Sequence, residues 1–361
     1  MKFISYLLVS ACCITSALAQ DGSVGQASDN GRTCGPECNC MRSLTPAGVT
    51  TDHIHGKGEW MASYTYMNTM QSGGQMGAGK ASDNAIYEQY MMAPESMNMQ
   101  MHMAMLMYGA TDRLTLMAMG GYTSMNMKMN MGSMSMPGMI MPMGDMSMNT
   151  SSSGITDTRL SALYNFAGTA SHRIIGSLGV DLPTGSIKTT GTTMLGDNQR
   201  LPYNMQPGSG SFGIAPDITW IKSSTTFSYG ANAGASVKLN NNSLGYRVGN
   251  TYHVTAWAAH RLASFVSFSL RAEFVQMDKI SGSDVTMDAP YYQVSDPTTV
   301  TANYGGKWAS GYAGLNFHAM KPVLERFILL TEYGRPFYQY LNGVQTATTG
   351  VLTASLQYAI K

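Results

Sequence analysis

Six methionines, Met97, Met99, Met101, Met103, Met105 and Met107, alternate without a break, and Met117 and Met119 follow shortly after. Eleven more crowd the next stretch: Met125, Met127, Met129, Met131, Met134 and Met136, then Met139, Met141, Met143, Met146 and Met148. Of the 32 methionines in the chain, 25 fall between Met61 and Met148. A thioether is a soft donor that selects Cu(I)-like ions over hard ones. It is also flexible apolar filler. Six in strict alternation, followed by a polar loop in which methionine is almost the sole apolar residue, favour the donor reading. The chemistry expected of these side chains is capture of Cu(I) or Ag(I).

A second group of soft ligands lies upstream. Cys34, Cys38, Cys40 and Met41 are followed by Asp52-His53-Ile54-His55. Three thiols within seven residues form either one disulfide with a leftover thiol or a soft-metal clip that draws on His53 and His55. The spacing matches no zinc module.

These residues need elements to hold them. A spacing of two places side chains on one face only in a β-strand. Trp60, Ala62, Tyr64 and Tyr66 form one face of a first strand, and Met61, Ser63, Thr65 and Met67 the other. Thr111-Asp112-Arg113 reads as a short turn between two further strands. If Ala110 faces Leu114, then Tyr108 meets Leu116 and Leu106 meets Ala118 on one face. Met107 then meets Met117 and Met105 meets Met119 on the other. A slip of one residue would mix the faces, so this register is preferred, with the methionines turned to the lumen. Asn98, Gln100 and His102 then share the outer face and must lie at or above the headgroups. The opposite assignment turns the methionines to lipid.

Alternation continues at 160–166, 174–182, 227–238 and 268–274, and less cleanly at 212–221, 250–261, 307–318, 326–335 and 348–360. Arg159, Arg173, Asp181, Lys238, Arg271 and Glu273 project inward by the same alternation, as a salt-bridge network or a selectivity filter. The fold class expected is all-β: an antiparallel transmembrane β-barrel of about 12 strands, an even number as bacterial barrels require. Residues 59–361 would form the barrel, with 123–157 as a methionine-rich outer loop. No apolar run after the first residues approaches the ~20 residues of a membrane helix.

Lys2, an apolar core over 3–11 and Ala17-Leu18-Ala19 read as a signal peptide, 1–19, that exports the chain to the outer membrane. Val9-Ser10-Ala11-Cys12 loosely fits a lipoprotein box instead. Residues 20–58 are expected to be a disordered, flexible periplasmic leader, too polar at its start to bury a core. Formal net charge is +1 and only 12% of residues are charged, which leaves no basic field for nucleic acid. Gly208-Ser209-Gly210-Ser211-Phe212-Gly213 matches a dinucleotide fingerprint but precedes a strand, so no organic cofactor is expected. No nucleophile elbow occurs, and an outer-membrane lipid-modifying enzyme is a minor alternative.

Several stretches carry a family resemblance. Leu182-Pro183-Thr184-Gly185 resembles the marker of the outer-membrane family labelled "meta-pathway of phenol degradation". Asp52 to Met61, Thr111 to Met117, Arg200-Leu201-Pro202-Tyr203, Gly245-Tyr246-Arg247, Thr255-Ala256-Trp257 and 332–336 resemble a methionine-rich branch of it, from about residue 48 onward. The resemblance implies an outer-membrane barrel that moves hydrophobic or aromatic compounds. In two places the chain departs from the family pattern. Gly154-Ile155-Thr156-Asp157 replaces a Gly-x-Gly-Asp, and the chain ends in Ile360-Lys361, with Tyr358 the nearest aromatic.

Two functions compete. The first is a transporter that binds soft metal ions through its methionines, for uptake or resistance. The second is a passive channel for small hydrophobic or aromatic solutes, with methionine as adaptable lining. The partners expected are outer-membrane lipid and one of these two cargoes; the sequence leaves the oligomeric state open.

Overall fold

The computed structural model describes residues 44–132, 134–136, 139–141, 146–169, 171–194, 196–318 and 326–360. Eleven strands, all antiparallel to their neighbours, close into a ring. They are β1 (Trp60–Gly77), β2 (Met92–Gly109), β3 (Leu114–Met131), β4 (Thr158–Thr169), β5 (His172–Leu182) and β6 (Gly213–Ser223). After these come β7 (Phe227–Lys238), β8 (Thr251–Ala263), β9 (Val266–Met277), β10 (Gly306–His318) and β11 (Phe327–Ile360). Pairing of β11 with β1 completes the ring, so these strands leave no free edge.

β11 is 34 residues long, which as one straight strand would span about 110 Å. It doubles back instead. Ile328–Leu341 pairs with β10, and Leu341–Ile360 pairs with β1. Within the element, the Ala359 amide donates to the Arg326 carbonyl, Phe327 stacks on Tyr358, and Gln339 and Thr348 exchange two hydrogen bonds. The ring therefore has twelve staves, the even number expected from the sequence.

Large apolar side chains cover the outside. Trp60, Leu106, Leu116, Leu160, Ile218, Val254, Leu270, Phe274, Leu315 and Leu356 are all exposed. A band this extensive on a monomer marks a surface for lipid. Among the described residues no helix is long and apolar enough to cross a membrane, so the strands do the crossing. Above the band the outer faces of β1 to β3 turn polar. Tyr64, level with Leu356 of the band, reaches up to bond His102 (2.6 Å), and further up Asn98 bonds Asn68 (2.9 Å) and Lys128 pairs with Glu95 (2.9 Å). These strands rise past the lipid, which resolves the polar run at Asn98, Gln100 and His102.

Short turns join the strands at 110–113, 224–226 and 264–265, and long connections occupy the other end at 132–157, 183–212 and 278–305. In bacterial barrels the short-turn end is periplasmic. The Ser147–Ile155 strand pairs along the upper half of β3, and Met134–Met136 pairs with Met139–Met141 in a small hairpin. The region expected as a loop thus extends the wall.

Residues 44–58 correct the expectation of a free leader. They belong to the same compact unit as the barrel and run inside it as a strap. Thr45 accepts from Asn316 Nδ2 (3.0 Å), and Ala47 packs with Ile328 and Leu330. Gly48 reaches Glu332, and Thr51 reaches Asp217 (3.0 Å) and Thr219 (2.8 Å). The chain then returns: the His55 amide bonds Thr115 (2.8 Å), and Gly58 bonds Gly109 (2.8 Å) at the short-turn end. A polar segment with no alternation satisfies its backbone on lumenal side chains rather than on water. The part of the leader before residue 44, with Cys34, Cys38 and Cys40, lies outside the described residues.

Candidate functional site

The methionine ladder faces the lumen. Met107 pairs with Met117, Met105 with Met119, Met99 with Met125 and Met97 with Met127 across β2 and β3. On the other side of β2, Met61 pairs with Met107 and Met67 with Met101. Leu106, Ala118 and Leu116 are on the exposed face. The 110–113 turn sets this register, and the apolar outer pairs hold it, because a one-residue slip would drive the methionines into lipid.

The ladder ends in two separate apolar clusters. At the periplasmic end Met61, Met105, Met107 and Met117 pack with Val49 of the strap, Leu163, Ile175, Ile221 and Trp257. At the outer end Met92, Met97, Met125, Met127, Met129 and Met205 pack with Leu201, and Met91, Met99, Met131, Met148 and Met194 lie against them. Met101 and Met103 are half-buried between the two clusters.

Long connections roof the outer cluster. Arg200 pairs with Asp284 (3.0 Å), Tyr203 meets Tyr246 edge-on (4.7 Å) and Tyr304 (5.8 Å), and Tyr203 accepts from the Asp284 amide (2.9 Å). Burial pushes the Tyr203 and Tyr246 phenols up to about 12, and it also raises the Asp296 carboxyl above its ordinary value. Asp157 pins the base of the roof. Its oxygens accept from the Gly185 amide (3.1 Å) and the Ser209 amide (3.0 Å), and the Ser209 hydroxyl bonds it as well. Gly185 and Gly208 meet backbone to backbone there, with no room for a Cβ on either.

The opposite lumen wall is polar. Arg159 and Lys238 both pair with Asp181 (2.6 and 2.9 Å). Arg271 pairs with Glu332 (2.7 Å) and Glu273 (3.1 Å) and stacks on Tyr312 (3.8 Å). His253 lies between Asp217 (3.2 Å) and Asn232 (2.9 Å). The inward charges expected from alternation thus form salt-bridge networks, which Arg173 does not join. Against the strap is a cavity of about 320 Å³, lined by Val49, Met117 and Met119 on one side and by Arg159, Asp217, His253 and Glu273 on the other.

The candidate soft-metal residues do not converge on one centre. His53 and His55 are buried in the strap, their rings 5.1 Å apart, with His53 Nδ1 2.7 Å from Asp52. Met146 is exposed, Met134, Met136, Met139 and Met141 lie in the small hairpin, and Met143 falls outside the described residues. Among the described residues no group of three His, Cys, Asp or Glu side chains is placed to hold a metal. Sequence reasoning missed the strap contacts and the roof aromatics. The signal for the roof was present in Arg200 to Tyr203 and Gly245 to Arg247, but without an indication that the two stretches meet.

The family model for the MetA-pathway of phenol degradation matches residues 114–313, more than half of the chain. The chain belongs to that family. The match covers the strands from β3 through most of β10, the roof and the polar wall; the strap and most of the methionine ladder lie outside it. The COG4313 outer membrane channel from Pseudomonas putida F1 is 11% identical, with 86% of this chain and 99% of that chain covered and a TM-score of 0.56. The toluene transporter TbuX from Ralstonia pickettii (11% identity, 85% and 90% covered) overlaps more loosely, with a TM-score of 0.38. Among curated proteins no sequence matches. The protein is an outer-membrane β-barrel.

Proposed function

We propose that the protein is a passive channel for small apolar solutes, aromatic compounds among them, and that its methionines are adaptable lining. The observation that carries this reading is the lumenal ladder. It supplies an apolar surface from the outer cluster through Met101 and Met103 to the periplasmic cluster. Methionine suits such a path because three rotatable bonds let it re-pack around solutes of different shape. The family's name, and the outer membrane channel that shares the fold, agree with this reading better than with metal transport.

On the facing polar wall the salt-bridged groups balance in number, three cations against three carboxylates, with Asp181 shared by two cations and Arg271 by two carboxylates. The strap closes the periplasmic end and would have to shift for passage. Conveyance of Cu(I) or Ag(I) along the ladder, for uptake or resistance, would use the same residues. Such conveyance needs closely spaced thioether sites along the whole lumen, and the ladder's packed thioethers divide into two separate clusters instead.

The test compares uptake of radiolabelled toluene by cells carrying the parent barrel, no barrel, or Met103→Glu. Parent cells should take up toluene several-fold faster than the other two. Equal uptake in all three would overturn the reading.

A further inference from the structure

One feature of the roof goes beyond permeation. Under it lies a small cavity of about 30 Å³, the size of a single ion or water molecule, lined by Met92, Met127, Met148, Met194 and Asp296. The four thioethers come from different parts of the chain. Met92 opens β2, Met127 is on β3, Met148 is on the strand laid against β3, and Met194 is in the 183–212 connection. Met127 is buried, and its sulfur already accepts a polar hydrogen, from Asn204 Nδ2 at 3.5 Å. Asp296 is also buried, and Oδ1 takes both bonds from Thr298, to the amide (2.8 Å) and the hydroxyl (2.6 Å).

We propose that this cavity is a binding site for one soft monovalent cation, Cu(I) or Ag(I). Thioethers select such ions over Na⁺, Mg²⁺ or Ca²⁺, and being neutral they release no proton on binding. Four neutral ligands alone would leave a buried charge uncompensated, which is costly in an apolar cluster. The Asp296 carboxylate supplies the single balancing charge. Arg200 also lines the cavity, but its charge is paired with Asp284 at 3.0 Å.

The site sits inside the outer cluster, where the solute path begins, but is not built from the alternating ladder alone. Two of its methionines, Met92 and Met194, lie outside the alternating run that dominates the sequence, and Asp296 lies far along the chain. By joining the β2–β3 wall to the 183–212 and 278–305 connections, a bound ion would clasp the roof to the wall.

The test measures Ag(I) on the purified full-length barrel by mass spectrometry after passage over a chelating resin. The parent should retain one ion, in excess of any held elsewhere, that the Met92→Leu/Met194→Leu double variant loses. Asp296→Asn should weaken retention about tenfold, and a Met105→Leu/Met107→Leu control at the periplasmic end should match the parent. Heat-modifiable gel mobility identifies any variant that has not folded; the single variants Met92→Leu and Met194→Leu then replace the double. Retention unchanged in the folded Met92 and Met194 variants, or lost equally in the control, would overturn the proposal. Toluene uptake is a separate readout, so failure of the channel reading leaves this result interpretable.

Discussion

Glu332 ties the strap to the barrel wall through Gly48. One carboxylate oxygen accepts the Gly48 amide at 2.8 Å, and the other accepts from Arg271 Nε at 2.7 Å. Gly48 lies so close to the Arg271 guanidinium that a Cβ would collide with it. One buried carboxylate thus holds a cation of the wall and the turning point of the strap together.

Replacing Glu332 by alanine should cost about 3 kcal/mol, at the low end for breaking a buried pair because Glu273 still contacts Arg271. The midpoint of urea unfolding should fall, and ion conductance in planar bilayers should rise as the strap loosens. An unchanged midpoint and conductance would show that the strap is held by other contacts.

Truncation separates the strap from what precedes it. Removing residues 20–43 should leave a folded barrel with parental conductance, because the described strap contacts begin at Thr45. Removing 20–58 should raise conductance several-fold. A barrel that stays closed without 44–58 would show that the roof, not the strap, blocks it.

The facing of the ladder can be tested by paired substitutions. Leu116 is 47% exposed on the lipid side, and Met117 beside it is 5% exposed in the lumen. Ala118→Lys, on the same exposed face and further from the 110–113 turn, should cost about 2–4 kcal/mol, as charge on the lipid face does toward mid-bilayer. Met117→Leu should cost less than about 1.5 kcal/mol, since it preserves volume. Refolding into lipid vesicles with urea titration reads both, and equal costs would contradict the assigned faces.

Register was legible in the sequence where local rules set it. A short turn at 111–113 and clean alternation on both sides place Met105 opposite Met119 without knowledge of the rest. The doubling back of β11 was also visible, as two separate alternating segments at 326–335 and 348–360. The strap was not legible. Residues 44–58 have no period, and their partners Asn316, Glu332, Asp217 and Thr115 are scattered along the chain, so polar composition suggested solvent. The roof was hidden for the same reason: Tyr203 and Tyr246 meet only because the barrel brings distant connections to one mouth.

Alkali should open the roof before the wall. Burial raises the Tyr203 and Tyr246 phenols to about 12, above the ordinary 10.0. A group whose folded pKa is raised favours the folded state fully below its unfolded value, and that contribution is lost as pH rises through the folded one. Protease cutting within 183–212 should therefore increase between about pH 10 and 12 while the barrel's circular dichroism holds. Tyr203→Phe leaves the Asp284 amide without its bond, a loss of about 1–3 kcal/mol, so cutting should start at lower pH. Cutting that shows no dependence on pH would contradict the packed roof.

The central claim is that the methionine-lined lumen passes small apolar solutes, and initial toluene uptake by barrel-bearing cells tests it most directly. The account predicts uptake several-fold above barrel-free cells, abolished by Met103→Glu and preserved when Met101 and Met103 are both leucine. Uptake that is lost in the leucine variant, or that never exceeds the barrel-free rate, would contradict it.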